Sequence, residues 1–62
     1  MEANQYAFTI LKASACMERN IYKLALYPNY IEGACKLYEV PDAQVEEVKA
    51  LVVQAIKQLK HL

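Results

Sequence analysis

Residues 4–27 read NQYAFTILKASACMERNIYKLALY, twenty-four positions without a glycine or a proline. At about 100° per residue, Gln5, Thr9, Lys12, Cys16, Arg19, Asn20 and Lys23 fall within one arc of about 100°. The remaining arc of roughly 220° is apolar. It carries Tyr6, Ala7, Phe8, Ile10, Leu11, Ala13, Ala15, Met17, Ile21, Tyr22, Leu24, Ala25 and Leu26, and only Ser14 and Glu18 interrupt it. A surface helix that packs on one neighbour needs a stripe only somewhat wider than about 100°. The segment therefore reads as one long helix, about 36 Å at 1.5 Å per residue. One flank belongs to its own chain, and the other is left for a further molecule.

Moving outward, Tyr27-Pro28-Asn29 reads as the end of that helix, because proline lacks a backbone donor and disfavours helical geometry in the residue before it. Asn29 with Glu32 three residues later resembles a capping box, opening a short second helix over residues 30–39. That helix places Ile31, Ala34, Leu37 and Tyr38 on one side. Gly33 inside it costs about 1 kcal/mol relative to alanine, which implies a close backbone approach or a bend. Residues 36–40 read equally well as helical or extended. Pro41-Asp42 then opens a third segment over residues 43–60, with Asp42 as its cap. Glu46 and Glu47 lie early in it and Lys57, Lys60 and His61 late, matching the helix macrodipole. Val45, Val48, Val52, Ala55, Leu59 and Leu62 keep strict three-four spacing, and Leu51 and Ile56 widen the stripe to about 140°, which one neighbouring layer satisfies.

The predicted architecture is a single all-α domain over residues 1–62. Two long antiparallel helices pack with a short helix across their connection. At 62 residues a chain buries only about 60% of the surface that its unfolded form exposes. A composition of 56% hydrophobic residues is high for so thin an interior, so a helical-bundle homo-oligomer, a dimer or a higher assembly, is expected to cover the surplus.

Composition also narrows the function. Cys16 and Cys35 are the only cysteines, and no secretory leader pattern precedes them, so free thiols and a cytoplasmic location are expected. The lone histidine, His61, has no ligand-spaced partner, which leaves no metal motif. No glycine-rich phosphate loop or other cofactor motif occurs. No apolar run approaches the 18 or so residues of a membrane span. Seven basic and seven acidic side chains cancel, so no overall field draws the chain to nucleic acid or an anionic membrane. A nucleophile would need a base, and the one histidine sits beside the C-terminus. A non-enzymatic protein is expected.

Two constellations remain. Ala7, Ile10, Leu11, Met17, Glu18, Ile21 and Leu24 form the expected interface of a self-associating adaptor or inhibitor that also meets a partner protein. Glu18 is the exception among them, a carboxylate at the centre of the apolar arc that needs a donor from a neighbouring helix. The second constellation is Lys12, Arg19 and Lys23, aligned within about 40° and flanked by Tyr6 and Tyr22. It suits an alternative in which an oligomer sequesters a small anionic metabolite or nucleotide, with rings stacking and cations holding phosphates. DNA binding as a dimer is the weakest alternative.

Overall fold

The computed structural model describes residues 2–61, and over them the chain is all-helical. It forms α1 (Ala3–Met17), α2 (Ile21–Leu37) and α3 (Asp42–Lys60) in a body of 37 × 19 × 17 Å. α3 packs against both other helices, while α1 and α2 meet each other less extensively. The shared core joins Ala7, Leu11 and Ala15 of α1 to Leu24, Ile31 and Cys35 of α2 and Val48 and Val52 of α3, with Val40 closing one end. None of the three helices is long and apolar enough to cross a membrane. Leu62, assigned above to the stripe of the third segment, lies outside the described residues.

The expected long helix over residues 4–27 is two helices. α1 stops at Met17, Glu18 is extended at φ −71° and ψ 131°, and α2 starts after Asn20. Asn20 is an N-cap, its side chain accepting from the amides of Tyr22 and Lys23 at 2.9 and 3.4 Å. No helix breaker marks this joint. Its cause is burial: a straight helix would leave most of the 220° arc in water, whereas a reversal lets each half turn its own stripe into one core. Ala7, Leu11 and Ala15 recur every fourth residue in one half, and Leu24, Ile31 and Cys35 share a face in the other. Tertiary packing of this kind overrides helix propensity, which is worth less than about 1 kcal/mol per ordinary residue.

The same competition corrects the second segment. Pro28 lies inside α2 rather than at a boundary, and Asn29 is an exposed helical residue, not a cap. The missing amide leaves the Leu24 carbonyl without its i+4 donor, a defect of about 3 kcal/mol in a helix interior. Ending the helix there would part Leu24 from Ile31 and Cys35, all three buried, so the helix runs on. The two long helices with a short connector are replaced by three helices of 15, 17 and 19 residues.

α2 ends in a Schellman turn. The amide of Val40 donates to the carbonyl of Cys35 at 3.0 Å and that of Glu39 to Lys36 at 3.4 Å, and Val40 is buried. Glu39 takes the left-handed position at φ 55°, where glycine is usual. In α3, Asp42 is the first helical residue rather than the cap. The Pro41 carbonyl accepts from Gln44 and Val45, and the Asp42 carboxylate sits at the positive end of the helix dipole.

Candidate functional site

Among the described residues, α3 is held to its neighbours by one ion pair on each flank. Lys12 of α1 lies 3.2 Å from Glu47, and Lys49 lies 2.7 Å from Glu32 of α2. Lys49 donates to the Glu32 carboxylate, and that hydrogen bond, with the lysine's charge behind it, holds the Glu32 carboxyl below the usual carboxylate range. The same hydrogen bond raises the Lys49 ammonium above its ordinary value. Cys35 is buried beside this pair, and burial pushes its thiol up, away from nucleophilic ionisation. Both cysteines are free, Cys16 on the surface and Cys35 in the core.

On the side away from α3 the character changes. α1 carries one charged side chain, Lys12, against six on α3. Tyr6, Ile10, Ala13 and Met17 follow one another along the exposed face of α1, within about 60° at 100° per residue. Leu26, Tyr30 and Leu37 share an exposed stripe on α2 within about 40°. Exposure here is large for apolar groups: 59% for Tyr6, 78% for Met17, 67% for Leu26, 64% for Tyr30 and 75% for Leu37.

A cleft of about 230 Å³ between α1 and α2 is lined by Tyr6, Ile10, Tyr30, Ala34 and Tyr38. Tyr30 also lines the next depression, with Ser14, Lys23 and Leu26, so the two are continuous along the groove. The Tyr27 and Tyr30 rings meet at 6.5 Å and 45°. Gly33 lies on the exposed surface of α2, and a Cβ added there would meet nothing within 4 Å. The close approach anticipated at this glycine does not occur within the chain.

The residues singled out from sequence are dispersed. Ala7, Leu11 and Leu24 belong to the chain's own core, Ile21 is half-buried, and Ile10 and Met17 stand on the exposed face. Glu18 lies in the joint rather than in an apolar arc. Its carboxylate accepts from the Asn20 amide at 3.1 Å and from the Tyr27 hydroxyl at 3.5 Å. Partial burial, and then the Glu18 charge, raise the Tyr27 phenol above its ordinary value.

The three aligned cations are not aligned, because the joint separates them. Lys12 pairs with Glu47 and stands 5.6 Å from the Phe8 ring centroid, Arg19 lies in the joint, and Lys23 starts α2. Tyr6 and Tyr22 line different depressions. Leu26, Tyr30, Leu37 and Tyr38 complete the exposed face and were not singled out as site residues. Their three-four spacing was visible, but a wheel that treats residues 4–27 as one helix and starts another at residue 30 splits their stripe. No protein-family model, curated protein or solved structure matches the chain.

Proposed function

We propose that the chain is a non-enzymatic protein-binding module whose docking surface is the outer face of α1 and α2. The observation that carries this reading is the continuity of that face. Large apolar side chains from both helices stand exposed around one shallow groove, while the charged residues of α3 hold the opposite side. Exposed apolar patches of this size on small proteins mark contact surfaces. Tyrosine suits them, joining an apolar ring to a hydroxyl that tolerates water.

Sequestration of a small anion finds less support. Its candidate residues do not converge: Tyr6 lines the α1/α2 cleft, Arg19 and Tyr22 a shallow depression at the joint, Lys23 the depression beyond Tyr30, and Lys12 is paired with Glu47.

Site-specific photo-crosslinking tests the reading. A photoreactive residue at Tyr30 is expected to give covalent protein adducts in cells, and the same residue at Gln54 on the exposed side of α3 is not. Adducts should also vanish when Leu26→Glu is added to the Tyr30 probe. Equal adduct yields from both positions, or none from Tyr30, would remove the basis of the proposal.

A further inference from the structure

Resting on that reading, we infer that the occupant of the α1/α2 face is a second copy of this chain, related by a two-fold axis perpendicular to the helices that passes near Tyr30. Three independent features of the face converge on this arrangement.

The first is area. At roughly 200 Å² for a large residue, the apolar side chains of this face expose on the order of 800 Å², which is what each partner contributes to an interface of standard size, about 800 Å². The whole chain exposes 4694 Å². A compact monomer of 7.1 kDa exposes about 4100 Å². The surplus goes with the elongated three-helix body and is of the size that such an interface would cover.

The second is shape. The stripe on α2 is unequal in side-chain size on the two sides of Tyr30, large before it and small after it. Leu26 stands four residues before it and Ala34 four residues after, with Gly33 beside Ala34. An antiparallel copy centred on Tyr30 therefore brings the projecting Leu26 of one chain over the hollow at Gly33 and Ala34 of the other, twice by symmetry. Gly33, an unfavourable helix residue with open space above it, then has a role: its missing side chain is where the partner's leucine seats.

The third is charge. Among the described residues neither ion pair uses Glu2 at one end of the face, or Glu18, Arg19 and Lys23, with a net positive charge, at the other, and Glu2 makes no side-chain capping bond to α1. Glu2 continues the α1 stripe at one end of the face, while Arg19 and Lys23 stand at the other. The perpendicular two-fold lays the acidic end of each copy over the basic end of its partner. A two-fold parallel to the helices stacks like on like, which is disfavoured.

The test measures the dimer dissociation constant by sedimentation velocity across dilution, with circular dichroism for helix content. The wild-type chain is expected to dimerise at micromolar concentration. Gly33→Leu fills the hollow from a position where a Cβ meets none of the chain's own atoms within 4 Å, and it should weaken the dimer at least tenfold with helix content retained. Adding Leu26→Ala to it should restore most of the affinity, because the projection has moved to the other side of the same contact. Glu2→Lys and Lys23→Glu should each weaken association, and their combination should recover it. A monomer at every concentration would overturn the inference, as would Gly33→Leu without effect or double variants weaker than both parents. Crosslinks from Tyr30 to other proteins, with a strictly monomeric chain, would keep the binding-face reading and eliminate the second copy.

Discussion

The two sides of this bundle solve the same problem in opposite ways. α3 has one apolar stripe, buries Val48 and Val52 completely, and turns charged residues outward, two of which reach back in ion pairs to α1 and α2. α1 and α2 bury an equally narrow stripe each, yet their outward faces carry tyrosine, leucine, isoleucine and methionine. Both sides therefore satisfy the chain's own core, and α3, with Val53 as its one large exposed apolar residue, is the better finished for water. Most of the apolar surplus, apart from Val53 and Tyr22, lies on the outer face of α1 and α2, and stability and association should separate cleanly between neighbouring residues of α2.

The largest effect expected is at Leu24, fully buried. Leu24→Ala should cost about 2 to 5 kcal/mol, much of the stability of so small a domain, independent of protein concentration. Leu26→Ala, two positions on, should cost under about 1 kcal/mol in dilute urea melts. Equal losses at both positions would dissolve the distinction between an inner and an outer face.

Next is Gly33→Ala, which should stabilise the chain by about 1 kcal/mol, seen as a higher urea midpoint at unchanged slope. A destabilisation of the dilute, monomeric chain would mean that the space above Gly33 is already filled within the chain. Glu39→Gly comes third. A left-handed residue with a side chain costs roughly 1 to 2 kcal/mol, and glycine gives back about 0.5 to 1 kcal/mol through its freer unfolded state, so a net gain of about 0.5 to 1 kcal/mol is expected. No gain would argue against a relaxed Schellman turn.

The smallest effect concerns the exposed Glu32–Lys49 pair. Because the Glu32 pKa is lowered in the folded chain, its contribution is present above the unfolded carboxylate's pKa and is lost as pH falls through the lower folded value. Because the Lys49 pKa is raised, its part is present at neutral pH and is lost only as pH climbs through that raised value. The difference in melting temperature between wild type and Glu32→Gln should thus be small at neutral pH, shrink in acid, and shrink in molar salt. A difference that grows on acidification would show the pair to be wrongly signed.

α3 was legible in the sequence because one period, one stripe and the placement of its charges agree. The error there was a single position at Asp42, where the proline carbonyl does the capping. The joint at residues 18–20 was not legible, since Met17, Glu18 and Arg19 are ordinary helix formers and Asn20 is followed by Lys23 rather than by a capping glutamate. Pro28 misled in the opposite direction, as a strong local signal overruled by the burial of Leu24, Ile31 and Cys35 on one face. An excess of apolar surface was therefore readable, and so were Tyr6, Ile10 and Met17 within it, but not its full outline: once the joint bends the chain, Ala7, Leu11 and Leu24 turn inward. Leu26, Tyr30 and Leu37 are then left outside. The cations of the alternative site scatter for the same reason.

The joint also has a bearing on the order in which the chain acquires its shape during synthesis. Nothing local forbids residues 4–27 from being straight, so the bend is enforced by the layer against which both halves lie, and that layer is α3. Until α3 has left the ribosome, the emerging chain has no template for its reversal and its apolar faces have no lid. Residues 42–60 thus act as an instruction to residues 3–37, and the reversal is decided only once α3 has been made.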